Sequence, residues 1–161
     1  INANASTINV YNNWTCRGTL NPGTSTVYLN GTGNQTVTGS TTFYNLNVTT
    51  ATAKTVTFTQ DAMVYIVSGG TATFVGTSGN ILTLTSSSLA PWYLRLDPTA
   101  TYSISYVNVS ESNAGGYQTI YANDGTVTDG SLNINWIFAT PGDVITHFER
   151  VDLSGVNVNT N

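Results

Sequence analysis

The 161-residue chain contains few charged groups: Asp, Glu, Lys and Arg make up 7% of it, whereas apolar residues make up 40%. Ordinary soluble domains carry roughly 25% charged residues, so solubility here depends on neutral Thr, Asn, Ser and Gly. Four Lys plus Arg and a formal net charge of −4 cannot supply the dense cationic surface that phosphate binding needs, which excludes nucleic acid as an expected partner. No apolar run approaches the roughly 20 residues of a membrane span.

In chain order, eleven short runs alternate between apolar and polar residues and are separated by Gly, Asn, Asp or Ser, as is typical of strands. Val, Ile, Tyr, Phe and Thr dominate them, and these residues favour sheet. We therefore predict an all-β protein with essentially no helix, and Val144 to Arg150 is the one place where a helical turn could form. The predicted strands are Thr26 to Leu29, Gln35 to Thr38, Phe43 to Thr49, Thr55 to Thr59, Met63 to Val67, Thr71 to Val75, Ile81 to Thr85, Trp92 to Leu96, Tyr102 to Val109, Gln118 to Tyr121 and Leu132 to Phe138.

Strands about ten residues apart indicate a sandwich, a barrel or a solenoid. A loose recurrence favours the solenoid, because three segments each place two aliphatic residues two positions apart with Asn or Thr between them: Phe43 to Val48, Ile81 to Thr85 and Tyr106 to Ser110. Stacked turns would align such positions, and Thr, Asn and Ser would then form hydrogen-bonded ladders. A β-sandwich remains the alternative.

Four segments resemble a module common in large bacterial surface proteins of the adhesin or surface-layer type. They are Asn30 to Val48, Leu82 to Ser88 with Ser105 to Ala114, and the closing Asn133 to Phe138. The resemblance covers roughly residues 24 to 138. It implies a right-handed parallel β-helix with an adhesive or structural exterior.

The ends of the chain fall outside this resemblance, and we predict three parts: an extended segment 1–13, a solenoid domain 14–138 and an extended segment 139–161. Both end segments alternate apolar and polar residues, which favours strands exchanged with other copies of the chain. Head-to-tail contacts of that kind do not close and so generate filaments. The expected assembly residues are Ile1, Ile8, Val10, Val151, Leu153, Val156 and Val158. The alternative is that each end packs on its own domain.

Several residues qualify as candidate sites for other functions. Asn4, Asn13, Asn30, Asn34, Asn47 and Asn108 begin Asn-x-Ser/Thr glycosylation signals, some of which chance alone would produce in a chain this rich in Asn and Thr. Trp92, Tyr93 and Tyr117 could stack on sugar rings, or could fill the core instead. The single Cys16 cannot form an internal disulfide; we expect it to pack near Trp14, and a bridge to another copy is the alternative.

The titratable residues do not suggest catalysis. His147 is the one histidine, no Gly-x-Ser-x-Gly motif occurs, and Asp61, Asp97 and Glu111 are far apart in the sequence. No cofactor is expected. A structural calcium at Asn123-Asp124-Gly125 and Asp129-Gly130 is the weak exception, because the same residues are common turn formers.

The sequence therefore predicts a secreted, non-enzymatic structural protein at the cell surface, the subunit of a filament or layer. The alternative is a carbohydrate-binding or adhesive surface module.

Overall fold

The structure is a computed structural model and describes residues 1–138. Within this range the chain is all-β without a helix, which confirms that prediction, whereas Val144 to Arg150 lies outside it. The strands are β1 (Thr7–Val10), β2 (Trp14–Thr15), β3 (Thr26–Leu29), β4 (Gln35–Thr38), β5 (Thr41–Thr49), β6 (Lys54–Phe58), β7 (Met63–Val75), β8 (Leu82–Ser86), β9 (Trp92–Leu96), β10 (Thr101–Ser105), β11 (Val107–Val109), β12 (Ser112–Asn113), β13 (Ile120–Ala122), β14 (Thr128–Asp129) and β15 (Trp136–Phe138).

The strands form three sheets, and every pair of named strands is parallel. The first sheet has the order β1-β3-β5-β7-β9-β12, with β10 also paired to β7. The second has the order β14-β11-β8-β6-β4-β2, and the third joins β13 to β15. From β1 to β9 successive strands therefore alternate between the first two sheets. The number of residues between paired positions of neighbouring turns varies. Ile120 pairs with Trp136, 16 residues later, and Thr71 pairs with Thr101, 30 residues later.

Alternation along each strand places apolar side chains inside and Thr, Asn and Tyr outside. In the first sheet, Val27 pairs with Leu46 and Leu46 with Ala72, and all three are buried. In the second sheet, Val56 pairs with Leu84 and Leu84 with Val109, which are buried as well. Inward-facing side chains of the two sheets thus form one continuous core.

The bounds of β3, β4 and β9 agree with the predicted runs. Elsewhere the bounds of the strands differ from the predicted runs because of the local backbone geometry. The runs Met63 to Val67 and Thr71 to Val75 join into the single strand β7, whereas the run Tyr102 to Val109 divides at Tyr106, whose φ is +52°. The short strands β2, β12 and β14 were not predicted, because two residues show no alternation.

The beginning of the chain lies on the first sheet. β1 pairs with β3 in register from Thr7 with Thr26 to Val10 with Leu29, Asn2 bridges Asn21, and the Ile1 amino group donates to Thr19 O at 2.9 Å. β1 is the edge strand of that sheet as far as residues 1–138 show. The described residues include no helix that is both long and apolar enough to cross a membrane.

Candidate functional site

Outward-facing residues of β7 and β9 form a polar surface that combines aromatic rings with charged groups. Tyr93 and Arg95 project outward from β9, because Leu94 and Leu96 between them are buried in the core. Tyr65 of β7 lies beside Arg95 in the register of the sheet. Tyr117, in the loop before β13, approaches from the next turn. We call Tyr65, Tyr93, Arg95, Asp97 and Tyr117 the Arg95 cluster.

The Arg95 guanidinium lies close to two aromatic rings. Its central carbon is 4.8 Å from the ring centroid of Tyr93 and 5.2 Å from that of Tyr117, distances at which the ring electrons attract a cation. One guanidinium nitrogen donates a hydrogen bond to Gly115 O. The rings of Tyr65 and Tyr117 meet edge to face with centroids 5.8 Å apart. Arg95 is therefore held by contacts with its own strand and with the loop that contains Gly115 and Tyr117.

The Asp97 carboxylate is occupied by its own neighbours. Oδ1 accepts hydrogen bonds from the backbone N and the Oγ1 of Thr99, and Oδ2 accepts one from the Tyr65 hydroxyl at 3.3 Å. The backbone hydrogen bond from Thr99, followed by the side-chain bonds, lowers the pKa of Asp97 below 3.8. Burial and the adjacent Asp97 charge raise the pKa of the Tyr65 hydroxyl above 10.0. Asp97 is thus anionic at neutral pH while Tyr65 keeps its proton.

Trp92 does not belong to this surface. Its side chain is 0% exposed and stacks on Phe58 with centroids 4.0 Å apart, and its indole N–H donates to Ser110 O. Trp92 faces inward because it is one residue out of phase with Tyr93 and Arg95 on β9. Stacking on a sugar is therefore not open to Trp92, whereas Tyr93 is half-buried and Tyr117 is 44% exposed.

The glycosylation candidates differ in exposure. Asn4, Asn13, Asn30 and Asn34 are exposed, while Asn47 and Asn108 are half-buried. Two of the exposed amides already pair with the next turn, since Asn13 Oδ1 accepts from Thr36 N and Asn34 Oδ1 accepts from Thr55 N. These asparagines contribute to the hydrogen bonds between successive turns.

The assembly candidates are only partly covered by the structure. Ile1 is exposed, and Ile8 and Val10 pack half-buried against the core from β1. Val151, Leu153, Val156 and Val158 lie outside the described residues, as does His147.

An exposed apolar groove lies near the last described turn. It has a volume of about 270 Å³ and is lined by Leu89, Pro91, Glu111, Leu132, Asn133 and Ile134. Leu89 is 82% exposed, and Leu132 and Ile134 are also exposed. We call this surface the Leu89 groove. Leu132 adopts φ of +58°, a region that side chains rarely occupy.

The weak calcium candidates serve as turns. Asp124 accepts hydrogen bonds from Thr126, and Asp129 accepts them from Ser131 N and Asn133 Nδ2. No group of three or more His, Cys, Asp or Glu side chains in residues 1–138 is arranged to hold a metal ion.

The Glu111 carboxylate accepts hydrogen bonds from Thr85 Oγ1 and Ser86 N. Cys16 is half-buried, and its Sγ donates to Gly18 O.

A buried polar cluster between turns was not predicted from the sequence. Lys54 Nζ donates to Leu29 O at 2.7 Å, to Gly31 O at 2.9 Å and to Gln35 Oε1 at 2.6 Å. Lys54 and Gln35 are both buried, and burial lowers the pKa of Lys54 below 10.5. The only available signal was that each occupies the inward phase of its strand, where an apolar residue is expected.

The roles of Arg95 and Tyr65 were also missed. The alternation Trp92-Tyr-Leu-Arg-Leu-Asp97 does place Tyr93, Arg95 and Asp97 on one side of the chain, but it does not reveal that Tyr65 and Tyr117 join them. That proximity depends on the register of β7 with β9 and on the path of the loop before β13.

No family model matches the chain, and searches of curated proteins and of solved structures found no match.

Proposed function

We propose that this protein is an extracellular structural protein, the subunit of a surface filament or layer, built as a right-handed parallel β-helix. Its strands are parallel, and the chain returns to the same sheet at each turn. This arrangement favours a β-helix over a sandwich of antiparallel strands. The resemblance of residues 24 to 138 to modules of large bacterial surface proteins supports the same assignment.

The proposed mechanism is mechanical. Backbone hydrogen bonds run from turn to turn, and side chains extend them on the outside: Asn45 Nδ2 donates to Thr26 Oγ1, Thr71 N donates to Asn45 Oδ1, and the Thr71 and Thr101 hydroxyls lie 2.8 Å apart. Such ladders resist bending and stretching because each turn is tied to the next. The neutral polar exterior keeps the stack hydrated with few charges.

The Leu89 groove is the observation that carries the assembly proposal. Its three exposed aliphatic side chains lie near the edge of the described stack, and exposed apolar surface of this kind marks interaction sites. The sequence of residues 151 to 158 offers matching apolar positions, Val151 with Leu153 and Val156 with Val158. We assign the groove to this segment from a neighbouring copy.

The first test replaces Val151 and Leu153 together with Asp. Charged side chains cannot enter an apolar groove without a large desolvation cost, so the variant should remain a folded monomer and form no filaments in negative-stain micrographs. Intact filaments from this variant would refute strand donation by the segment.

A second test addresses the groove itself. Leu89→Asp should abolish assembly, while Ile81→Asp, which changes an exposed isoleucine away from the groove, should assemble like the wild type. Equal assembly by both variants would remove the groove from the interface. If Leu89→Asp lowers the thermal stability of the isolated monomer and Ile81→Asp does not, the segment packs on its own chain instead.

Carbohydrate binding is the second candidate function, and the Arg95 cluster favours it. Partly exposed Tyr93 and Tyr117 flank a fixed cation, and tyrosine rings offer both an apolar face and a hydroxyl to a sugar. Tyr117→Ala should abolish glycan-array binding, whereas Tyr11→Ala, which changes an exposed tyrosine near the beginning of the chain, should not. Unchanged binding by Tyr117→Ala would exclude this surface.

A further inference from the structure

We propose that the Arg95 cluster binds an acidic glycan and that Arg95 receives the carboxylate of a hexuronic acid unit. This inference rests on the second proposed function, carbohydrate binding, and specifies the class of sugar. It depends on the position of the guanidinium, on its remaining N–H donors and on the rings around it.

The guanidinium is fixed before any ligand arrives. The rings of Tyr93 and Tyr117 lie against it, and Gly115 O accepts a hydrogen bond from one of its nitrogens. A guanidinium has five N–H donors in a planar fork, so donors remain for a carboxylate, which matches the fork with two parallel hydrogen bonds. Prior fixation reduces the entropy lost on binding.

The hydrogen bond recorded for the Arg95 guanidinium within residues 1–138 goes to the neutral Gly115 O and not to the nearest acid. Asp97 follows two residues later on the same side of the chain, but its oxygens accept from Thr99 and Tyr65. Of the other described cations, Lys54 is buried and Arg17 lies beside the first turn. Among the described residues Arg95 is therefore the cation of this face, and its remaining N–H donors fit a carboxylate, while the nearby Asp97 charge opposes part of the attraction.

The surrounding side chains favour a sugar over a free inorganic anion. Tyr65, Tyr93 and Tyr117 come from three segments that meet at the cluster, and Met63 beside Tyr93 in the register is partly exposed. Together they give an extended surface that is apolar with hydroxyl groups at intervals. A chain of sugar rings presents the complementary combination of C–H faces and hydroxyls, and an inorganic anion does not.

The test compares two trisaccharides by isothermal titration calorimetry at low ionic strength: the trimer of galacturonic acid and the neutral trimer of galactose. The wild type should bind the acidic trimer about tenfold more tightly, as expected for charge-assisted hydrogen bonds. Arg95→Gln should remove this preference, so that the acidic and the neutral trimer bind with equal affinity. Arg17→Gln, the matched control, should keep the preference.

Each other outcome overturns a defined part of the proposal. Equal affinity of the wild type for both trimers would refute the acidic class and leave carbohydrate binding standing. Equal losses in Arg95→Gln and Arg17→Gln would show a general charge effect and no site at Arg95. Binding of neither trimer by the wild type would refute this inference and count against the second candidate function, without affecting filament assembly. A further outcome is that inorganic sulfate binds tightly, competes with the acidic trimer and binds Tyr117→Ala as well as the wild type. That result would show that the cluster is an anion site and not a sugar site.

Discussion

Lys54 shows how a single residue can depart from the pattern of its strand. It lies at an inward position of β6 and is 3% exposed, yet it carries an ionisable amine. Three neutral oxygens, Leu29 O, Gly31 O and Gln35 Oε1, accept its hydrogen bonds and offset part of the cost of burial. Lys54 therefore ties the turn that contains it to the preceding turn.

The buried amine should make stability depend on pH. Burial lowers the pKa of Lys54 in the folded protein below 10.5, so over a window of pH below 10.5 the unfolded chain holds a proton that the folded chain has released. The contribution of Lys54 to stability is then lowest below the lowered pKa and rises as the pH increases from that pKa towards 10.5.

We expect the wild type to gain stability relative to Lys54→Met as the pH rises through that window. Urea unfolding of both proteins at a series of pH values measures the difference, in which the tyrosine contributions cancel. A difference that stays constant with pH would mean that Lys54 titrates normally in the folded protein.

Gly39 lies at a position that only glycine can occupy without strain. Its φ is +82°, and an added Cβ would lie 2.3 Å from Cys16 O. Gly39→Ala should therefore cost about 2 kcal/mol of unfolding free energy. Gly33→Ala, where a Cβ meets no atom within 4 Å, is the control and should stay within about 0.5 kcal/mol. Similar losses in thermal unfolding would contradict the close approach at Gly39.

At the scale of elements, β9 separates buried from outward-facing side chains by alternation. Trp92, Leu94 and Leu96 face the core, and Tyr93 and Arg95 face outward. Trp92→Ala should cost about 4 kcal/mol, because it empties a large buried volume and breaks the stack on Phe58. Tyr93→Ala, on the same strand but half-buried, should cost less than half as much in the same urea titration. Equal costs would contradict the assignment of faces.

The strands most visible in the sequence are those with several alternating residues and a turn at each end. β3, β4 and β9 meet that condition, and their bounds were predicted. β7 does not meet that condition. Gly69 and Gly70 suggest a turn in the sequence, although the chain continues there as a strand. At Gly70 an added Cβ would lie 2.1 Å from Tyr44 O, so this glycine permits close packing of β7 on β5.

At the scale of the whole molecule, the two proposed binding surfaces should respond differently to salt. Assembly through the Leu89 groove depends on apolar contacts and should change little between low and physiological ionic strength. Binding of an acidic trisaccharide at Arg95 should weaken over the same range, because salt screens the charge of a partly exposed guanidinium. Sedimentation and calorimetry in the same buffers measure both. Assembly that dissociates as salt is added would contradict an apolar interface.

The sequence by itself determined the all-β class and the facing of most side chains, because a strand places alternate residues on opposite faces whatever its partners are. The inward positions of β3 and β9 follow from this rule alone. Strand order does not, since alternation is a local property and pairing depends on where each turn returns.

Only the tertiary structure decided which distant residues meet. The register of β7 with β9 brings Tyr65 to Arg95, and the loop before β13 adds Tyr117. The stacking of β6 on β4 likewise brings Lys54 to Gln35 across 19 residues of chain. These contacts depend on the unequal lengths of the turns. Extra residues between two strands change which residues of the next turn lie beside them, and no local pattern of residues encodes that change.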